Sequence, residues 1–541
     1  MSGFNLADLF ERVADAVPDR EVIVSPARRL TFAQLEERSN RLANVLTELG
    51  VERGEHIGLQ LLNGSEYVEG MLAAFKIGAV PINVNFRYVE GELRYLYDDA
   101  DLVTVIHHQQ FSPRVAAVVP KAETVRNLIV VAETSGADIA PDALDYEAAL
   151  AGASEHRPDG SERTGDDRYV AYTGGTTGLP KGVVWRQEDI FFAAMGGGDV
   201  FQSGNFISTP DEIVERLPEV GGTILTTPPL MHVSAQWGVF HSLFAGGRIV
   251  FPEQGPFNAH AIWGLVAAEG VNILTIVGDA MARPLAEAYA QARDAGAPYD
   301  ASSLFVIGSG GAVLSAQAKA QLTDLLPSLM VVDGFGSSET GIVGSKLHVT
   351  GDTTTAPTFT VNDQTQVLDD SGRPVEPGSG QVGRLARKGF VPLGYYKDEA
   401  KTRATFLEVD GERWVLPGDN ATVSADGTVV LLGRGSTSIN TGGEKVYPEE
   451  VETALMTSDA VSDVVVVGVP DERWGEQVVA VVAAAPGATP TLDDLRDHAR
   501  ASLAGYKLPR ALVLVDRVER TPAGKADYAW AKKIATAEEK N

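Results

Sequence analysis

No cysteine occurs in the 541 residues. This excludes disulfides, thiolate metal sites and a cysteine nucleophile, so any thiol chemistry must use a thiol carried by a substrate. Long apolar runs are missing too: none approaches the roughly 18 residues that a membrane-spanning helix requires. Positive charge is scarce, with 45 Lys and Arg against 73 Asp and Glu and a formal net charge of −28. That balance argues against broad nucleic-acid binding and against an anionic membrane surface, and a polyanionic ligand would need local cations and a metal ion to overcome it. The nine histidines are scattered apart from His107 and His108, without a His-x-x-x-His or similar ligand spacing. No serine sits in a Gly-x-Ser-x-Gly elbow, so an α/β-hydrolase would lack its nucleophile.

What is present reads as a globular protein of two or more domains, since the chain is too long for one ordinary core and 44% of it is hydrophobic. Asp8, Glu11, Arg12, Asp15, Asp19 and Arg20 interrupt the apolar positions of the first twenty residues. This is the pattern of an amphipathic helix and not of a secretory signal, and cytoplasmic residence is the expectation. Strands at 21–24, 57–62 and 103–106 with a helix near 65–78 set an α/β rhythm, continued by strands at 247–251, 273–277, 304–307 and 330–332. A polar stretch at 134–168 reads as a surface excursion. From about 363 short strands and turn pairs take over, implying hairpins or a small barrel, with Asp426-Gly427 the clearest hairpin turn. A compact α/β segment follows residue 435, with a helix from Pro448, strands at 464–467 and 478–483, a helix near 491–503 and a charged final helix.

Residues 172–182 read Tyr-Thr-Gly-Gly-Thr-Thr-Gly-Leu-Pro-Lys-Gly. Glycines let the main chain approach an oxyanion, Thr173, Thr176 and Thr177 add hydroxyl donors, and Lys181 supplies a mobile charge, so the run suits a nucleotide triphosphate. It is not a Walker A loop, because Gly182 follows Lys181 where Ser or Thr is required, and this weakens a kinase or GTPase reading. A flexible linker would not explain the apolar residues on both sides. The Gly378-Ser-Gly-Gln-Val-Gly383 match to a dinucleotide fingerprint follows a proline turn and leads into a strand, and is read as chance.

Four further segments complete a constellation: Gly308-Ser-Gly-Gly-Ala312, Asp333-Gly-Phe-Gly-Ser-Ser-Glu-Thr-Gly341, Trp414-Val-Leu-Pro-Gly-Asp419, read as the end of a strand, and Thr521-Pro-Ala-Gly-Lys525. Together with the Lys181 run, in this order and at these distances, they resemble the adenylate-forming enzymes, which include acyl-CoA synthetases, peptide-synthetase adenylation domains and firefly-type luciferases. The resemblance spans nearly the whole chain, from Leu30-Thr31-Phe32 to Lys525. It implies an α/β fold (α+β overall): an N-terminal adenylation domain (1–435) of layered β-sheets with helices and a β-barrel-like subdomain (about 363–435), then a small mobile C-terminal domain (436–541).

The resemblance also implies roles. Thr173, Gly174, Gly175, Thr176, Thr177 and Lys181 would orient the departing pyrophosphate; Gly310, Gly311 and Ala312 would border adenine, with Asp333, Phe335 and Gly336 beside the base. Ser338 would contact the α-phosphate, Glu339 would hold Mg²⁺, and Asp419 with Arg434 would bind ribose. Lys525 would bridge the acyl carboxylate and the α-phosphate, giving with Glu339, Ser338 and Thr173 the catalytic set. Cations are needed because one anion must attack another. Ser436 stands at the hinge, where the family usually has Asp or Lys, and Thr441, Gly442 and Gly443 would line the coenzyme A passage after the small domain rotates.

His232 resembles the aromatic gate of the acyl pocket or is a satisfied histidine of a turn; Trp237 and Gly238 face the acyl chain or pack in the core. The expected reaction joins a carboxylic acid to ATP, giving acyl-AMP and pyrophosphate, and then passes the acyl group to coenzyme A. Gly-Gly-Gly-Asp199 and Trp185-Arg-Gln-Glu-Asp189 are similar to a subgroup handling long or bulky acids, including sterol side-chain acids. A homodimer is the assembly considered. Two alternatives stay open: an acyl-AMP ligase with a carrier-protein or other acceptor, and a non-catalytic nucleotide-binding regulatory protein.

Overall fold

The computed structural model describes residues 3–132, 137–159, 162–174, 179–199, 204–310, 314, 316–349, 358–361, 363–369, 371–409, 411–434, 439–446, 448–519 and 527–538. Among them the strands form three sheets. One runs Gly394–Tyr395, Pro180–Arg186, Arg168–Gly174, Val80–Asn83, His56–Gln60, Leu102–His108, Asn127–Val131 and Leu144–Asp145. The second has a parallel centre of Glu21–Val24, Arg248–Val250, Thr223–Thr226, Ile273–Ile276, Val306–Ser309 and Met330–Ser337. It turns antiparallel at Gly341–His348 and continues into the short strands between Thr358 and Arg434. The third lies in the C-terminal segment: Glu444–Val446, Ile439–Thr441, Gly475–Ala484 and Val461–Asp471, with Ala511–Val515 parallel to Gly475–Ala484.

Period-two alternation explains the layering. Ile224 and Ile249 point into a core shared with Ile57, Leu59, Ile106, Tyr169 and Trp185 of the first sheet, whereas Leu225 and Val250 face Trp263, Val266 and Leu285 on the opposite side. Val105 and Ile106 divide in the same way between the outer helices and that shared core. Covered on both faces, Leu102–His108 is buried at every position. In the C-terminal sheet Val464 and Val466 face one helix layer and Val465 and Val467 the other.

Helix Ser65–Lys76 lies between the two large sheets and is buried on every side. Its Lys76, wholly inaccessible, is held 2.6 Å from Glu11 and 2.8 Å from Glu36. Burying that charge is tolerable only because both carboxylates meet it. The Asp426-Gly427 hairpin is present: Gly427 has φ +86 and Ser424 N donates to Thr428 O at 2.8 Å. Gly383 begins the strand Gly383–Lys388, not a helix, in keeping with a chance dinucleotide match. One detail differs from expectation. Asp419 opens the strand Asp419–Val423 instead of ending one, because Pro417 and Gly418, at φ +93, break the chain after Glu412–Val415. Among the described residues no helix is long and apolar enough to cross a membrane.

Candidate active site

The phosphate-loop candidate is a hairpin. Arg168–Gly174 pairs antiparallel with Pro180–Arg186, setting Thr173 opposite Lys181 and Tyr172 opposite Gly182. A Cβ on Gly182 would lie 2.7 Å from the Tyr172 ring, so the glycine lets that ring cover the strand. Asn83 grips Tyr172 at both main-chain groups, each at 2.8 Å, and the Tyr172 hydroxyl donates to Asp99 at 2.8 Å. Lys181 forms an ion pair with Asp398, the N-cap of helix Glu399–Thr405. Gly175, Thr176 and Thr177 lie outside the described residues.

The Ser338–Glu339 segment is the turn between Met330–Ser337 and Gly341–His348. Within it Thr340 N donates to Ser337 O at 3.1 Å and Ser337 N to Thr340 Oγ1 at 3.0 Å. Gly336 has no room for a side chain, since a Cβ would sit 2.2 Å from Gly341 O. Two contacts tie this turn to the phosphate hairpin. Trp185 Nε1 donates to Ser338 O at 2.9 Å, and the hydroxyl of Tyr395, from the edge strand beside Val183, donates to Glu339 at 2.9 Å. Strand pairing thus sets Thr173 opposite Lys181, and the two side-chain ties fasten the Ser338–Glu339 turn to the same hairpin.

Around it, Asp333 is 2.7 Å from Lys319, and Phe335 packs on Phe359 with ring centroids 5.3 Å apart. Gly310 follows the strand Val306–Ser309, and Asp419, buried, faces Arg434 in the antiparallel register; only the backbone of Arg434 is described. Gly311, Ala312, Ser436 and Lys525 lie outside the described residues. The donor set suits a magnesium triphosphate: Mg²⁺ bound through phosphates needs one or two protein carboxylates, and Glu339 supplies one beside the hairpin. Among the described residues no cluster of three or more His, Asp or Glu forms an all-protein metal cage.

His232 stands just before helix Val233–Phe244 and reaches the C-terminal sheet: its Nε2 is 3.1 Å from Glu444 Oε1. Arg87 pairs with the same carboxylate. Burial would push the Glu444 carboxyl up, but His232, Arg87 and Lys507 hold it below the usual range. Glu444 follows Gly442 and Gly443, at φ +57 and +83, in the turn between Ile439–Thr441 and Glu444–Val446. A Cβ on Gly443 would meet Val277 at 2.3 Å, and one on Gly442 would meet the Trp474 ring at 2.8 Å. Thr441 is buried at the end of its strand. Lys507 Nζ, 2.7 Å from Glu92, adds a second buried tie between the two parts of the chain. Trp237 is packed in the inter-sheet core, and a Cβ on Gly238 would lie 3.9 Å from Ile224.

Sequence reasoning did not single out Asp398, Tyr395, Arg387, Arg87 or Glu444. Each acts on a residue from a distant segment, and only the Gly-Tyr pair before Lys397 and the Gly-Gly-Glu triplet hinted at them. In the stretch 185–189, similar in sequence to a subgroup, Trp185 meets Ser338 and Gln187 accepts from Leu6 N at 2.9 Å.

Residues 10–396 match the AMP-binding enzyme family and residues 450–525 its C-terminal domain. The chain is 49% identical over 532 residues to a 3-oxocholest-4-en-26-oate–CoA ligase of Rhodococcus rhodochrous, covering 98% of this chain and 95% of that protein. It is 46% identical over 534 residues to a medium/long-chain-fatty-acid–CoA/3-oxocholest-4-en-26-oate–CoA ligase of Mycobacterium marinum, covering 98% and 96%. Among solved structures, the amide bond synthetase McbA of Marinactinospora thermotolerans superposes with a TM-score of 0.79 at 23% identity, covering 98% of this chain and 99% of that one. A Mycobacterium tuberculosis fatty acyl CoA synthetase does so with 0.67 at 25%, covering 99% of each. The fold is that of the adenylate-forming enzymes, and the chain belongs to the AMP-binding enzyme family. It is an AMP-forming acid–thiol ligase that uses ATP, Mg²⁺ and coenzyme A, activating a carboxylic acid as its adenylate and then forming the thioester.

Proposed function

We propose that the acid is a bulky or medium-to-long-chain hydrophobic one, with a sterol side-chain acid the first candidate, and that the enzyme works in the cytoplasm. Near-full-length identity to ligases named for such acids supports this reading. The roles follow the resemblance: Thr173 to Lys181 on the β- and γ-phosphates, Ser338 on the α-phosphate, and Asp419 and Arg434 on the ribose. Lys525 bridges carboxylate and α-phosphate, and Glu339 would hold Mg²⁺, which would supply positive charge for the pyrophosphate. The division falls near residue 435, and the C-terminal part rotates about Ser436.

The observation that carries the two-step reading is the contact between Glu444 and His232. It brings the Gly442-Gly443 turn against His232 and Val277, which supports a passage there for a narrow thiol arm. The deciding experiment offers a panel of fatty acids and sterol side-chain acids, with and without coenzyme A, and measures AMP and thioester. Turnover confined to short or amino acids would overturn the substrate reading; adenylate that ignores coenzyme A would favour another acceptor. Sedimentation of the purified chain tests the homodimer.

A further inference from the structure

Arg387 lies on the strand Gly383–Lys388 and is only 2% exposed. Its Nη1 donates to two main-chain carbonyls, those of Thr340 and Ile342, on either side of Gly341. Gly341 itself has φ +66, and a Cβ there would lie 2.8 Å from Ala193 O, so the chain is pinned on its other side by the helix Gln187–Ala194. No carboxylate pairs with Arg387 among the described residues, and burial pulls its guanidinium down to about 10. A buried cation without a matching anion is costly. An ordinary structural role is met more cheaply by an apolar residue.

We propose that Arg387 is a positioning residue for magnesium-dependent nucleotide binding, clamping the Ser337–Gly341 turn from behind so that Glu339 and Ser338 meet the nucleotide in one arrangement. With Trp185 on Ser338 O and Tyr395 on the Glu339 carboxylate, the turn is held at three successive residues from three different strands. The guanidinium adds a fixed positive charge beneath a site that must accept a triphosphate in a chain of net charge −28. This inference rests on the proposed roles of Glu339 and Ser338.

The test is calorimetric binding of ATP with and without Mg²⁺ to the full-length protein, for wild type, Arg387→Met and Arg387→Gln, with thermal melting as the fold control. Charge-assisted hydrogen bonds of this kind imply that Arg387→Met loses about tenfold in Mg·ATP affinity. ATP alone should lose affinity by a smaller factor, since only the charge and the Ser338 contact are then affected, and Arg387→Gln, which keeps one donor group, should fall between. Acid-dependent pyrophosphate release should drop in parallel while thioester formation from supplied acyl-adenylate is retained. A folded Met variant with the wild-type gain from Mg²⁺ would overturn the proposal, as would equal loss with and without Mg²⁺. If Met does not fold, a wild-type gain in Gln overturns it. Wild-type protein that releases no pyrophosphate with any acid would instead sink the functional reading on which it stands.

Discussion

His232 and Glu444 meet at 3.1 Å, joining the loop before helix Val233–Phe244 to the glycine turn of the C-terminal sheet. Glu444 is buried and its partners His232 and Arg87 both come from the N-terminal part. His232 and Arg87 therefore reach the carboxylate only when the C-terminal sheet is docked as seen here. Glu444→Gln should slow thioester formation by at least about tenfold, the scale expected for breaking a buried charge pair, and spare adenylation. Separate assays of pyrophosphate release and of acyl transfer check this, and parallel losses would count against it.

Gly443 gives a sharper steric test. At φ +83, with Val277 2.3 Å from where a Cβ would be, Gly443→Ala is strained and clashes in this docked arrangement. The thioester half-reaction should fall while adenylation stays near wild type. Unchanged transfer from isolated acyl-adenylate would show that the turn does not occupy this position during transfer.

Lys181 is paired with Asp398, so a phosphate must compete with a carboxylate for it. Asp398→Asn keeps an oxygen to cap Lys401 N, which Asp398 accepts at 2.9 Å, but removes the charge. ATP should bind about threefold more tightly, the scale of a partly exposed ion pair. Weaker binding on titration would mean that Asp398 orients the lysine instead of restraining it.

Acid stability should report on the buried network around Lys76. Burial alone would raise the Glu11 carboxyl, but hydrogen bonds from Arg163 and the charges of Lys76 and Arg163 bring it from 4.5 down to about 2. A depressed carboxyl adds stability that is fully present above pH 4.5 and is lost as the pH falls from there through 2. Glu11→Gln should cost about 3 kcal/mol at neutral pH by stranding part of the charge on Lys76. Its urea midpoints should also fall less steeply with acid than those of wild type.

The local rules were legible where they depended on neighbours in the chain. The valine run at 464–467 reads as a buried strand and is one, although its two faces appear only in the fold, and Asp-Gly at 426 marks a turn that Gly427, at φ +86, makes easy. The reading of Asp419 as the end of a strand fails because it carries the strand through Pro417-Gly418, which break it after Val415. Ser65–Lys76 reads as a helix, but its burial on all sides depends on two sheets closing over it.

Order and spacing of short motifs determined that this chain activates an acid through ATP, because phosphate loops and capped turns are built from contiguous residues whose chemistry is local. Which residues support that chemistry was decided by tertiary structure alone. Arg387 reaches Thr340, Tyr395 reaches Glu339, and Glu444 reaches His232 across separations of 47, 56 and 212 residues. Such ties arise from sheet register and domain docking, and no periodicity in a linear sequence encodes which distant strand will lie alongside.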